Sequence, residues 1–277
     1  MATFMNRSMI QSAVTMGQLQ KKLDLVGNNL SNSETTGYKS RNADFSSLLY
    51  QQIDNQSHSE AEVGRLTPEG IRVGSGAKLG HTNLDLTQGS LKNTGRELDV
   101  ALLEDHHMFG LRVTTEQGQE IHYTRAGNFY LNPIDDGQLL LTDADGHPVI
   151  GADGENIILE DNFQAINIDP NGRILVTRNQ NQVVEGTLDV SEAVRPRMLE
   201  SVGANRFRIP DNVEEDGIMG DVLSGDVKMQ SQTLETSNVD VARQMTEMLM
   251  AQRAYQFNAK SISTGDQMMG LVSQLRS

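Results

Sequence analysis

At 277 residues the chain could form one large domain or two smaller ones. Only 37% of its residues are hydrophobic, 4% are aromatic and none is Trp, which excludes a single thick core in favour of several thin layers. The absence of cysteine removes disulfides, thiolate metal sites and cysteine nucleophiles. The net charge of −14 is uneven: residues 1–43 hold five basic side chains against Asp24 and Glu34, residues 235–277 hold four of each sign, and the middle carries −17. Such a body repels phosphate backbones and anionic lipid, which argues against nucleic-acid and membrane-surface binding.

In chain order, the first pattern is helical. Met9, Met16, Leu23 and Leu30 recur every seven residues, with Met5, Leu19 and Val26 at interleaved positions, which predicts a helix from about Thr3 to Ser31. Its apolar residues form a stripe interrupted by Asn6, Arg7, Gln11 and Gln18 rather than a secretory leader or a membrane span. Asn28, Asn29, Asn32 and their serine neighbours dissolve the helix, because short polar side chains compete for their own backbone. The chain then turns at Thr36-Gly37-Tyr38, where the glycine suits a left-handed conformation and the tyrosine pins the turn. A short helical piece is expected near Phe45 to Gln52, followed by a polar, irregular arm over 54–80.

From Leu84 to Asp211 the pattern changes to short strands. Leu98–Leu102, Ile121–Thr124, Asn128–Leu131, Gln138–Thr142, Ile166–Ile168 and Gly172–Val176 are separated by Asp135-Asp136-Gly137, Asp145-Gly146, Asp153-Gly154 and Asn171-Gly172. These dipeptides close tight hairpins, with positive φ expected at both central residues, and predict an all-β sandwich or barrel-like domain. Residues 212–236 read as a polar return linker. Ser237 or Asn238 is then expected to cap a second long helix, whose stripe is Val241, Met248, Tyr255, Ile262 and Met269. The expectation is an α+β chain: two long terminal helices forming a coiled-coil-like layer, a central all-β domain and a long irregular arm. Its divisions are 1–43, 44–83, 84–211 and 212–277. One lone helix cannot bury its own stripe, so each needs a partner, either the other helix or another molecule.

Catalytic signatures are lacking. His106 and His107, with His122, suggest a metal only superficially, since adjacent strand residues point to opposite faces. Asp143-Ala144-Asp145-Gly146 resembles the start of a calcium loop, but Gly154 stands where the bidentate glutamate belongs. There is no nucleophile elbow, phosphate loop or dinucleotide fingerprint. The reading is therefore not an enzyme, with no catalytic residue, metal or cofactor. A secreted β-sandwich binding module is the more remote alternative, which would keep its affinity without the helices.

Asn28-Asn29-Leu30-Ser31-Asn32 followed by Thr35-Thr36-Gly37-Tyr38-Lys39 at one end resembles the N-terminal motif of the bacterial flagellar rod and hook proteins. At the other end, Ser237-Asn238-Val239-Asp240-Val241, the run Gln252-Arg253-Ala254-Tyr255 to Asn258-Ala259-Lys260, and Asp266-Gln267-Met268 are similar to their C-terminal motif. Gly89–Thr94 and Tyr123-Thr124-Arg125-Ala126-Gly127 resemble the middle of the family, so the resemblance spans essentially the whole chain. Chain length and the Leu66–Ala77 stretch favour the distal rod type over the hook or proximal rod type. Glu104–Gly110, where the family commonly has a glycine-rich double-phenylalanine strand, points to a divergent paralogue such as the FlhP type of bacilli.

The resemblance implies a structural subunit exported without a cleaved signal and located in the basal body of the flagellum. It also implies that the subunit polymerises head-to-tail, with its terminal helices lining an inner wall and the arm joining neighbours. Its expected partners are itself, other rod and hook proteins and the export apparatus.

Overall fold

Two long helices form where the heptad spacing places them. In the computed structural model, which describes residues 2–47, 50–53, 71–74, 77–116, 118–134, 137–210, 217–223 and 225–276, these are α1 (Ala2–Ser31) and α2 (Val241–Arg276). The chain divides into two compact units. The first holds residues 1–28, 42–82 and 242–277, and the second holds 29–41 and 83–241.

Within the first unit, α1 and α2 run antiparallel. Lys22 Nζ lies 3.4 Å from Glu247, while nearer the other end Met9 lies against Gly265, where a Cβ would come within 2.9 Å of the Met9 sulfur. Leu19, Val26 and Ala251 are buried, and Met9, Met16, Leu23, Met248, Tyr255, Ile262 and Met269 are half-buried. Leu30 is also half-buried, whereas Val241, at the start of its stripe, is exposed. Between the helices in sequence come β1 (Arg41–Ser47), β2 (Tyr50–Ile53), β3 (Ile71–Gly74) and β4 (Ala77–Leu84). β1 pairs with β4, and β2 pairs antiparallel with β3, Tyr50 opposite Gly74 and Ile53 opposite Ile71. This corrects two expectations. Where a helical piece is expected near Phe45–Gln52, the described residues 45–47 and 50–52 are strand, and in the later part of the arm 71–74 and 77–80 are returning strands. The rest of the arm, 54–70 with 75 and 76, lies outside the described residues.

The second unit is built from short antiparallel strands. They begin with β5 (Leu91–Asn93), β6 (Val100–Leu102), β7 (His107–Thr115), β8 (Gly118–Thr124), β9 (Tyr130–Ile134) and β10 (Gln138–Thr142). Next come β11 (Ile158–Glu160), β12 (Ala165–Ile168), β13 (Arg173–Arg178), β14 (Asn181–Thr187) and β15 (Val190–Ala193). The last are β16 (Glu200–Gly203), β17 (Arg206–Arg208), β18 (Met219–Asp221), β19 (Met229–Ser231) and β20 (Thr233–Glu235). A six-stranded sheet has the order β16-β17-β8-β7-β15-β18; three-stranded sheets have the orders β11-β10-β9 and β12-β13-β14.

Period-two burial explains the packing. In β12, Ile166 and Ile168 are buried while Ala165 and Asn167 are exposed, which turns one face of the strand to the core. Ile166, Ile168, Ile174, Val176, Leu141, Leu159, Leu111 and Val190 share that core with Phe109 and Phe129. The two rings meet edge to face, 5.1 Å between centroids.

The return segment differs from the linker expected over 212–236. Within it β18 extends the six-stranded sheet, β19 pairs with β6 and β20 pairs with β5, Glu235 opposite Leu91.

The turns differ too. At Gly146, Gly154 and Gly172 only the glycine has positive φ, and the preceding Asp143, Asp153 and Asp169 accept backbone N–H bonds from residues two further on. These are aspartate-stabilised turns with a left-handed glycine. Gly137 also has positive φ, whereas Asp135 and Asp136 lie outside the described residues. Both central residues have positive φ instead at Asn179-Gln180, joining β13 to β14, and at Ala204-Asn205, joining β16 to β17. Neither pair contains glycine.

Two glycines separate helix propensity from close approach. A Cβ at Gly17, in α1, meets nothing within 4 Å, so Gly17→Ala should raise stability by about 0.5–1 kcal/mol. A Cβ at Gly127 would fall 1.9 Å from the Val100 carbonyl oxygen, so Gly127→Ala should cost about 3 kcal/mol or more. Denaturant unfolding of both variants checks the opposite signs.

Candidate functional site

The residues of the N-terminal motif form a turn whose conformation only glycine tolerates. After α1, Asn29, Leu30 and Asn32 accept the backbone N–H groups of Asn32, Ser33 and Thr35, at 3.2–3.3 Å, and the chain reverses at Gly37 with φ +66°. A Cβ there would sit 2.6 Å from the Ala126 nitrogen, so the position is closed by backbone contact as well as by φ. The Asn205 side chain donates to the Thr36 carbonyl at 2.9 Å. Gly37 N–H donates to the backbone carbonyl of Glu235 at 2.8 Å, which ties this turn to the strand before α2.

Two asparagine amides fasten the surrounding backbone. Asn29 Oδ1 accepts from Tyr38 Oη at 3.0 Å and from Arg41 N–H at 3.1 Å, while its Nδ2 donates to the Arg41 carbonyl at 2.9 Å. Burial raises the Tyr38 phenol pKa, with Arg41 opposing, so the hydroxyl stays a donor. Asn238 Oδ1 accepts from Ser40 N–H at 2.7 Å, and its Nδ2 donates to the carbonyls of Asp85 and Thr87 at 2.9 and 3.0 Å. Asn238 is thus engaged across the fold rather than as a helix cap. Ser237 Oγ accepts from Val239 N–H at 3.3 Å, and α2 begins later, at Val241.

At the centre lie three buried charges. Glu235 Oε1 accepts from Lys39 Nζ at 2.6 Å and from Gly89 N–H at 2.7 Å, and Oε2 accepts from Arg125 Nε at 2.6 Å. The side chains of Lys39, Arg125 and Glu235 are each no more than 1% exposed. The two cations share one anion, and backbone carbonyls complete their shells. Lys39 donates to Leu86 and Thr87 at 3.2 and 2.7 Å, and Arg125 donates to Leu102, Glu104, Asp105 and His107 at 2.5–3.2 Å. Burial depresses the Lys39 pKa, and the Glu235 charge partly restores it.

His107 completes the surroundings. Its ring is 8% exposed, Nδ1 has no partner, and burial followed by the Arg125 charge lowers its pKa, against Glu192 and Glu104. Nothing in this arrangement supplies a nucleophile with a base, and among the described residues no group of three or more acidic or histidine side chains could hold a metal. The charged groups of the centre pair with one another and with backbone groups of the fold.

The charged centre gathers Asn29, Thr36, Gly37, Tyr38 and Asn238, with Ser237 beside them. Asn32 accepts from Thr35 Oγ1 at 3.2 Å within the turn, and Asn258 bonds back to the Ala254 carbonyl at 2.8 Å inside α2. Asn28 ends the helical unit, and Asp240 and Arg253 are exposed. The seam residues Met9, Met16, Leu23, Leu30, Val241, Met248, Tyr255, Ile262 and Met269 all lie on α1 or α2. Sequence reasoning missed Glu235, and it named Lys39, Gly89 and Arg125 only within family motifs, not as a buried charged centre. The available signal was a glutamate in phase with Thr233 on a strand whose inward positions are buried.

Glu235→Ala would leave Lys39 and Arg125 buried without a counter-ion and should cost about 3–5 kcal/mol, read by chemical unfolding. Gly37→Val should also destabilise, in contrast to Gly17→Ala. For His107, the folded state holds fewer protons than the unfolded chain between its lowered pKa and the ordinary 6.5. Stability should therefore fall as pH drops through that window, and His107→Gln should flatten the loss between pH 7 and 5. Unfolding free energies at several pH values measure this.

Three family models match the chain. Residues 12–39 match the flagella basal body rod protein, 110–176 the flagellar hook protein FlgE/F/G D1 domain, and 230–275 the flagellar basal body rod FlgEFG protein C-terminal region. Each segment contributes one buried charge, Lys39, Arg125 and Glu235 respectively. The chain is 36% identical over 276 residues to the flagellar hook-basal body complex protein FlhP of Bacillus subtilis, covering 98% of this chain and all of that protein. It is 32% identical to the flagellar basal-body rod protein FlgG of Borreliella burgdorferi, with 98% and 99% covered, and 30% identical to FlgG of Bacillus subtilis, with 96% and 97% covered. With the matched segments meeting at Glu235 and similarity running end to end, the chain belongs to the flagellar basal-body rod and hook protein family.

Proposed function

We propose that this chain is a structural subunit of the flagellar basal-body rod, of distal type, that polymerises head-to-tail into a helical tube carrying motor torque to the hook. The observation that carries the reading is the two-faced character of α2. Gln244, Ala251 and Gly265 are buried on one side. At about 100° per residue, Met245, Leu249, Met250, Phe257, Met268 and Leu271 fall on the opposite side, 48–75% exposed. Arg253 and Lys260 share this outer arc and give it positive charge, which suits an acidic partner such as another copy of this chain. α1 repeats the device, with Ile10 and Val14 exposed opposite Leu19 and Val26. One face serves the antiparallel pair within the subunit; the other is left for a neighbour.

An interface between unlike patches generates an open helix when the rotation does not close. Adjacent pairs packed this way would form a coiled-coil-like wall, with the arm over 44–83 joining neighbours. The basal body is the location, flagellar axial proteins and the export apparatus are the partners, and no catalysis is involved. The FlhP and FlgG relatives, named as basal-body proteins, support this reading.

Leu249→Asp should leave a folded monomer, because its side chain is 55% exposed, yet it should abolish polymerisation and motility. Ile262→Asp and Leu23→Asp should weaken the helix pair itself. Circular dichroism with sedimentation separates the two effects. Normal polymerisation by Leu249→Asp would overturn the assignment of the outer face.

A further inference from the structure

Sulfur in this chain is carried by methionine alone, with thirteen methionines and no cysteine. Met108 and Met229 are sealed in the β unit, 0% and 2% exposed. Met245, Met250 and Met268 are 50%, 64% and 48% exposed, and all three stand on the outer arc of α2 among Leu249, Phe257 and Leu271. We propose that Met245, Met250 and Met268 are oxidation sites at which peroxide switches off self-association of the free subunit. This rests on the reading of that arc as the surface that meets a second copy.

The chemistry needs only hydrogen peroxide. A thioether lone pair attacks one peroxide oxygen, the S–O bond forms as the O–O bond breaks, and the departing hydroxide takes the remaining proton to leave as water. Sulfur is oxidised to the sulfoxide while peroxide is reduced. The product is a strong acceptor that demands a donor once buried; Leu249, Phe257 and Leu271 offer none, and on this arc only the Arg253 and Lys260 side chains could answer it, at the cost of drawing their charges into the apolar contact. Thioethers fill irregular apolar gaps well, and sulfoxides do not. Within an assembled shaft the same methionines are covered, so the switch acts before polymerisation. Methionine sulfoxide reductases reverse it.

The test treats the full-length protein with hydrogen peroxide, maps sulfoxides by peptide mass spectrometry and measures self-association by sedimentation. Met245, Met250 and Met268 should convert at least about tenfold faster than Met108 and Met229, following exposure. Association should weaken about tenfold or more without loss of the β unit's circular dichroism, and reductase treatment should restore it. A variant carrying Met245→Leu, Met250→Leu and Met268→Leu should associate equally before and after peroxide. Undiminished association after full conversion of the three sites overturns the proposal, as does loss of association by the triple variant. Leu249→Asp separates the two layers of argument. If it associates normally, the docking face is wrong and the oxidation proposal falls with it; if it blocks association while oxidation does not, the oxidation proposal alone fails.

Discussion

The carboxylate of Glu235 holds two buried cations from distant parts of the chain, Lys39 lying 196 residues before it and Arg125 lying 110 before it. Removing three ionised groups from water is expensive, and the arrangement is tolerable only because both carboxylate oxygens and the cationic donors find partners. Two N–H groups, from Lys39 and from the backbone of Gly89, meet Oε1, while Arg125 takes Oε2. The remaining donors of Lys39 and Arg125 reach carbonyls between Leu86 and His107. An apolar centre of the same volume could be as stable. What the charged centre adds is specificity, since any shift that parts Glu235 from Lys39 or Arg125 leaves a buried charge without its counter-ion.

That arrangement joins the segments bordering both helices to the β unit. The turn after α1 is held by Gly37 N–H on the Glu235 carbonyl, and the segment before α2 is held by Asn238 on Ser40, Asp85 and Thr87. All of these bonds lie within the second unit, so the two segments that border the helices are fixed to the strands by specific hydrogen bonds and not by chain connectivity alone. The glycines follow from the same crowding. Gly37 packs on Ala126 backbone, and a Cβ on Gly89 would fall 2.0 Å from the Thr236 carbonyl oxygen. The helices serve a different need, with an inner face for their mutual packing and an outer face still exposed on α2.

Much of this was legible in the sequence because it is local. Seven-residue spacing located both helices, and short apolar runs between turn signals located β10, β12 and β13. The positive φ of Gly37 was readable from its setting among Thr36, Tyr38 and the polar helix end. What escaped was non-local. Residues 45–47 and 50–53 have no long period to mark them as helix or strand, and their state is decided by pairing, 50–53 with 71–74 and β1 with β4. Asn238 carries a capping residue's chemistry just ahead of a helix, but tertiary partners claimed its amide. β20 is three residues long and pairs with β5 more than a hundred positions away, so neither it nor the buried role of Glu235 announces itself. At Asn179-Gln180 and Ala204-Asn205 the sharp turns do without glycine, because flanking strand pairs impose the geometry.

Amide hydrogen exchange on the free, full-length monomer tests the central claim most directly. Gly37, Ser40 and Gly89 donate to Glu235 or Asn238 from the two segments that meet there. If the buried charges hold the terminal segments to the β unit, these three amides exchange only with global unfolding, as slowly as those of β7 around Phe109–Val113. Fast exchange at Gly37 and Gly89 while β7 stays protected would show that the terminal motifs open independently of the fold, and would contradict the account.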